Sequence, residues 1–233
     1  MRQKEKGCQE VGITSQVCKL PKSILQGELH ETIAALNNDS KVDGILLQLP
    51  LPKHLDRISA IQMIKPEKDV DGLTPVNQGL LSWNLPGLYP CTPSGVMELI
   101  KREHSSIAGK VAVVLGYSIL VGAPITVMLT HARASVVALR STCKEPKVFT
   151  KMADILVVAT GSPGLVNDDW IKSGATVIDV GMHRGAEGKL CGDVCFDRVV
   201  AKAGALTPVP GGVGPMTIAM LLKNCFTAYV ASP

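Results

Sequence analysis

Residues Gly109–Pro124, GKVAVVLGYSILVGAP, decide how this chain is read. Val111 to Leu115 is an unbroken apolar run, largely β-branched, of the kind that forms a strand covered on both faces in a parallel sheet. Gly116 ends the run and lets the chain turn sharply at the strand's carboxyl end. Ser118 follows, placed to cap or to contact a phosphate, and a helix is expected from near Leu120. A strand, a glycine turn and a helix in this order form the nucleotide-binding unit of α/β domains. The spacing departs from the dinucleotide fingerprint, because Gly116 is followed by Gly122 and not by glycines two and five positions on. Taken alone, the stretch also fits an ordinary strand-to-helix turn of an α/β sheet.

Working outward toward the carboxyl end, the pattern predicts a helix over Leu120–Thr130 and strands over Ser135–Leu139, Ile155–Ala159 and Thr176–Val180. Together they outline a doubly wound, Rossmann-like parallel sheet. In such sheets an acid at the end of the second strand binds the ribose hydroxyls of NAD, whereas NADP sites carry a cation there. Here the strand ends in Arg140 and Ser141, which suit a 2′-phosphate, so NADP is expected and NAD less so. A surface arginine on an exposed loop is the plainer reading of the same residue. TPVPGGVGPMT, Thr207–Thr217, is a rigid loop rich in glycine and proline whose backbone can approach a planar ligand, and it opens the last helix.

Toward the amino end, Met1–Val11 reads as the tail of a helix stopped at Gly12, and Ile13–Leu20 as a strand. An amphipathic helix over Gly27–Asn37 leads to a buried strand over Val42–Leu49, and Asp56–Ile64 is a further helix. Gln48 is polar at the end of its apolar run, either capping its own turn or facing a ligand where α/β sites lie. Lys68, Asp69 and Asp71 share a loop closed by Gly72, and charged loops commonly just meet water. PGLYPCTP, Pro86–Pro93, makes a domain connection, with Thr92 as N-cap of a helix through Arg102.

Composition bounds the answer. The 233 residues are 46% hydrophobic, enough for one large or two small cores, and the net charge of +4 is spread along the chain. That balance suits small anionic ligands and gives no footprint for nucleic acid. Seven cysteines without framework spacing read as free thiols in a reducing compartment. Cys191 and Cys195 lack a second ligand pair, so no metal is expected. No signal peptide, transit sequence or membrane-spanning run is present, which reads as a soluble intracellular chain of the cytoplasm or mitochondrial matrix with no membrane partner.

The ordered set DGILLQLPLP, PEKDVDGLTPVNQG, PCTPSG, the Gly116 turn with VGAP, ADILVVATGSPG, GATVIDVG, GDV and TPVPGGVGPMT resembles the methylenetetrahydrofolate dehydrogenase/cyclohydrolase family, the bifunctional FolD-type enzymes of one-carbon metabolism. The resemblance covers nearly the whole chain. It implies a folate-binding catalytic domain over 1–92, an NAD(P)-binding domain over 93–215, and a C-terminal helix over 216–233 returning to the folate domain. The folate site would lie in the cleft between the domains, and the enzyme would be a homodimer. Lys4 matches the family's catalytic lysine, Gln48 the glutamine that assists it, and Asp71 the aspartate that holds the pterin ring. Pro210, Gly211 and Gly212 match the loop on the folate side. Gly116, Ser118, Val121, Gly122, Arg140, Ser141, Thr160 and Gly161 match the NADP-binding positions.

Two departures accompany the resemblance. Tyr117 and Ile119 stand where many eukaryotic members have arginine and lysine, so the NADP expectation rests on Arg140 and Ser141. The family has a strand, most of a helix and a folate-stacking tyrosine ahead of the lysine, so the chain reads as truncated at the front. From that follow the expectations of an incomplete N-terminal α/β domain, Lys4 on a frayed end, poor turnover and aggregation. The alternative is a catalytically silent member that binds NADP or folate without turnover. An ordinary NAD(P) dehydrogenase of a small substrate is a third reading, which the folate motifs disfavour.

Overall fold

The apolar run after Lys110 forms β1, Val111–Leu115, and its last four residues are buried. In the computed structural model, which describes residues 2–185 and 188–231, β1 is the hinge of a five-stranded parallel sheet. Its partners are β2 (Ser135–Leu139), β3 (Ile155–Val158), β4 (Thr176–Asp179) and a short strand at Ala205–Leu206, and the sheet runs from β2 through β1, β3 and β4 to that strand. Val113 sits opposite Val137 on one side and Leu156 on the other. The order reverses direction at β1, the topological switch at which α/β sheets bind ligands beyond their carboxyl ends. Ala112, Val113, Val114 and all of β3 are fully buried, as strands covered on both faces must be. The Rossmann-like sheet expected from the sequence is therefore present.

The described residues fall into two compact units. One takes in Thr92–Thr217 and holds this sheet. The other runs to Cys91 and includes the chain from Ile218. In it are α1 (Arg2–Glu10), α2 (Gln26–Asn38), α3 (Arg57–Gln62) and α4 (Pro75–Ser82), with α5 (Cys91–Glu103) starting at the division. Leu29 and Ile33 of α2 and Ala60 of α3 pack with Ile24, Ile45, Leu55 and Ile64. A second cluster joins Val70, Leu88 and Cys91 to Leu221 and Ala228 of the last helix.

The sheet unit continues with α6 (Gly122–His131), which packs on β1 and β2, and α7 (Pro146–Thr150) against β1. A small antiparallel hairpin, β5 (His183–Arg184) with β6 (Leu190–Cys191), follows β4. Next come α8 (Phe196–Val199) and β7, the Ala205–Leu206 strand that closes the sheet. The last helix, α9, spans Val213–Ala231. Residues 232–233, the end of the helix expected over 216–233, lie outside the described residues, as does Met1 of the helix expected over Met1–Val11.

Two expected strands do not form. Ile13–Leu20 is irregular and mostly exposed, and Val42–Leu49 makes a single parallel bridge, Ile45 with Asp69. A β-branched, alternating pattern records a preference for extended backbone, and a ladder also needs a neighbouring strand, which neither segment has among the described residues. The Thr92 cap is also corrected: α5 starts at Cys91, and the Thr92 hydroxyl instead meets that of Thr217 at 3.0 Å. Lys4 lies within α1, whose Gly7 and Cys8 are buried, Gly7 against Ile218 and Leu222. No described helix is long and apolar enough to cross a membrane.

Asp154 ties the start of β1 to the loop before β4. Its carboxylate accepts from the Val111 amide at 2.9 Å and from Lys172 at 2.6 Å. The bond from Lys172, and then that from Val111, hold the Asp154 carboxyl below its ordinary value. A depressed carboxylate stabilises the fold above its unfolded pKa, and the contribution is lost as pH falls through the folded value. Half-exposed Lys172 is screened by water, so Asp154→Asn should cost at most about 1 kcal/mol at neutral pH, a Tm lower by roughly 2–4 °C. Thermal melts across pH should show the parent and variant curves converging as pH drops below the carboxylate range.

Candidate functional site

Three residues from separate segments meet in the first unit. Lys4, on the first turn of α1, points its Nζ at Gln48 Oε1 across 3.4 Å. The Gln48 amide is turned for this by its own Nε2, which donates to the Leu49 carbonyl at 2.7 Å. The same lysine is electrostatically coupled to Asp71, which is half-buried. Burial pushes the Asp71 carboxyl up, and the positive charge of Lys4, then a hydrogen bond from the Cys91 thiol, pull it back down. Lysine, glutamine and aspartate thus form one constellation of proton carrier, amide and hydrogen-bond acceptor.

The charged loop is not a set of equivalent solvated groups. Asp69 is 1% exposed and spends its carboxylate on the protein: it accepts from the Thr74 amide at 2.7 Å and from Asn77 Nδ2 at 3.0 Å. It therefore anchors the start of α4, whose N-cap is Thr74. Lys68 donates to the Asp39 carbonyl at 2.8 Å. Asp71 is the member of the trio whose carboxyl feels the charge of Lys4. Gly72, at φ 70°, lets the loop close, because a Cβ there would collide with the backbone of Tyr89 and Pro90.

In the sheet unit the sequence-predicted nucleotide residues converge beyond β1, β2 and β3, which are neighbours in the sheet. Gly116, at φ 105°, lies so close to Ala159 and Thr160 that a side chain would strike their backbone, and a Cβ on Gly122 would strike the Gly116 carbonyl. The tight glycine turn leads straight into the amino end of α6, the kind of helix end that favours a dinucleotide's phosphates. The Ser118 hydroxyl accepts from the Val121 amide at 3.2 Å, and its carbonyl takes the Ala123 amide at 2.9 Å, so the turn is fixed; α6 begins at Gly122 and not at Leu120. Beyond β2, Arg140 and Ser141 are exposed, and the Arg140 guanidinium stands 5.8 Å from the Tyr117 ring centroid. No acid takes their place, so these residues fit a 2′-phosphate.

Thr160 and Gly161 are held by a group that the sequence reading did not single out. Asp193 is fully buried, and its Oδ2 accepts from the Thr160 amide at 2.6 Å, the Thr160 hydroxyl at 2.8 Å and the Gly161 amide at 2.9 Å. Its Oδ1 meets His183 Nε2 at 2.6 Å. A second buried acid, Asp179, accepts from the amides of Gly181, Asp193 and Val194. Burial raises the Asp179 carboxyl, and those three amides oppose the rise. Polar residues inside otherwise apolar strand-end segments, the aspartates of VIDVG and GDV, were the available signal. Pro210, Gly211 and Gly212 belong to this second unit, in the loop leading into α9.

Comparison with known proteins places this geometry in context. Residues 1–71 match the family described as tetrahydrofolate dehydrogenase/cyclohydrolase, catalytic domain, and residues 90–232 match its NAD(P)-binding domain. The bifunctional protein FolD of Agathobacter rectalis is 50% identical over 228 residues, covering 98% of this chain and 82% of the relative. That of Methanospirillum hungatei is 51% identical over 231 residues, covering 99% and 82%. Among solved structures, the bifunctional FolD enzyme of Campylobacter jejuni superposes with a TM-score of 0.95 at 45% identity, covering 97% of this chain and 81% of that one. The Trypanosoma brucei dehydrogenase-cyclohydrolase, solved with NADP cofactor and an inhibitor, gives 0.94 at 41% identity, covering 99% and 81%.

Removing the Asp193 carboxylate would leave the Thr160 and Gly161 amides and His183 without their partner in a partly buried place. Each orphaned group costs roughly 1–3 kcal/mol, so Asp193→Ala should lose about 3 kcal/mol, a Tm lower by roughly 6–12 °C. It should also lose most of the thermal stabilisation that added NADP gives the parent. Melting curves with and without the nucleotide check both outcomes.

Proposed function

The chain belongs to the tetrahydrofolate dehydrogenase/cyclohydrolase family, and from that premise we infer that it is a bifunctional, NADP-dependent 5,10-methylenetetrahydrofolate dehydrogenase and 5,10-methenyltetrahydrofolate cyclohydrolase of one-carbon metabolism. The observation that carries the assignment of residues is the meeting of Lys4, Gln48 and Asp71, drawn from three segments far apart in sequence. A silent family member is not retained, since the matched regions span both domains and this set of residues is intact. Folate chemistry belongs to the expected domain 1–92 and nucleotide binding to 93–215.

Each role follows from the chemistry of the group. The Asp71 carboxylate can accept two hydrogen bonds from the amino-pyrimidine edge of a pterin. Gly116 and Gly122 would let NADP phosphates approach the backbone closely, Ser118 fixes that turn, and Val121, Thr160 and Gly161 would be the further cofactor-binding positions. Arg140 and Ser141 take the 2′-phosphate. Bound NADP supplies the hydride acceptor for the methylene carbon, and the residues around both ligands contribute alignment. The methenyl cation formed is already electrophilic. Its hydrolysis needs a water to lose a proton as it attacks the bridging carbon, and N5 to gain one as its bond to that carbon breaks. Lys4 is the group that moves these protons, and Gln48 holds its ammonium in place. Pro210, Gly211 and Gly212 match the family's folate-side loop. A homodimer in the cytoplasm or mitochondrial matrix is the assembly and place that family membership favours.

Lys4→Met should abolish the cyclohydrolase and leave a larger share of the dehydrogenase, because hydride transfer rests on alignment and hydrolysis on proton movement. Parallel assays of the two reactions check this, and retained hydrolysis in the variant would remove Lys4 from the mechanism. Arg140→Ala should weaken NADP binding by roughly tenfold or more while changing NAD binding little, as expected for loss of one charge-assisted contact. Equal affinity of the parent protein for the two nucleotides, measured by titration, would refute the 2′-phosphate role.

A further inference from the structure

Asp71 carries a recognition role only if its loop is held still, and the backbone on either side of it is fixed from elsewhere in the unit. On the amino side the anchor is Asn224, on α9. Its Nδ2 donates to the Val70 carbonyl at 2.9 Å and to the Tyr89 carbonyl at 2.8 Å, so both amide protons are used. One side chain thereby staples the residue before Asp71 to the segment 88–91, although it is 154 positions from the first partner and 135 from the second. Cys91 reinforces the staple: its buried thiol stands 3.2 Å from the same Val70 carbonyl and shares its one proton between that carbonyl and the Asp71 carboxylate. On the carboxyl side, the loop is pressed at Gly72 onto the backbone of Leu88, Tyr89 and Pro90, and Gln78 Nε2 holds the Gly72 carbonyl at 2.8 Å.

These contacts form one frame around Asp71, and α9 enters it through a single polar group. Leu221 and Ala228, a turn away on either side, are 4% and 3% exposed and pack with Val70, Leu88 and Cys91, so the amide reaches its carbonyls from within an apolar contact. Backbone carbonyls in such a place need a donor, and water is largely excluded. We propose that Asn224 is a positioning residue for the folate site: it sets the Asp71 carboxylate for the pterin edge without itself touching the substrate. The inference rests on the reading of Asp71 as the pterin-binding acid. It also assigns the last helix a part in substrate recognition, where its apolar face alone would make it only a packing element.

The test compares Asn224→Ala and Asn224→Asp with Asp71→Asn and with Leu221→Ala, a change on the same helix that removes packing and leaves the amide. The aspartate variant keeps the side-chain volume, so it reports if the alanine variant does not fold. Dehydrogenase assays are run at a fixed interval below each variant's own Tm, with NADP affinity measured alongside. The expected result is a KM for 5,10-methylenetetrahydrofolate raised about tenfold or more in both Asn224 variants and in Asp71→Asn, as for a displaced contact group. NADP affinity should stay within about twofold of the parent, and Leu221→Ala should leave KM near the parent value. A raised KM in Asp71→Asn with an unchanged KM in the Asn224 variants would overturn the role of Asn224 alone. An unchanged KM in Asp71→Asn would overturn the reading of Asp71, and the positioning role with it. A KM raised equally in Leu221→Ala would reduce Asn224 to ordinary helix packing.

Discussion

The close approach of Gly116 to the backbone of Ala159 and Thr160 is the constraint on which the nucleotide unit depends. Neighbouring parallel strands diverge at their carboxyl ends unless something draws the following loops together. Here β1 and β3 are in register up to Leu115 and Val158, and the chain beyond them stays in contact because position 116 has no side chain. The positive φ of Gly116 then turns the chain toward α6. Without this contact the amino end of α6 and the Thr160 loop would not face a common ligand.

Asp193 does for the Thr160 loop what glycine does for the turn after β1. It replaces absent secondary structure with a carboxylate that takes up backbone amides, and a buried carboxylate is tolerated because Thr160, Gly161 and His183 supply it with hydrogen-bond partners. Asp179 repeats the device one strand further on. In the first unit Asp69 acts in the same manner on the start of α4. Three buried acids thus do structural work in this protein. Burial makes both Asp71 and Asp179 harder to ionise; backbone amides oppose the rise at Asp179, whereas at Asp71 the charge of Lys4 does so.

Much of the nucleotide unit was legible because its signals are local. Val111–Leu115 reads as a covered strand from five residues, and the turn that follows is marked by its glycine. Arg140 and Ser141 announce themselves by following a strand where an acid is the commoner choice. The first unit was harder. Ile13–Leu20 and Val42–Leu49 have the composition of strands, yet whether such a segment joins a ladder depends on a neighbour that its own residues do not specify. The same limit hid Asn224, an unremarkable polar residue on an apolar helix until the carbonyls of Val70 and Tyr89 are placed beside it.

By itself the sequence determined the α/β class, the order of the sheet unit's main strands and the family, because apolar period, turn chemistry and ordered motifs are properties of short stretches. Tertiary structure alone decided which of the clustered acids are spent on the fold and which is available. It also decided that Lys4 reaches Gln48 and is coupled to Asp71, and that Asp193 and Asn224 hold the Thr160 and Val70 loops. Those outcomes depend on hydrogen bonds between groups tens to more than a hundred positions apart, and a donor's partner at such a distance is chosen by packing and not by its sequence neighbours.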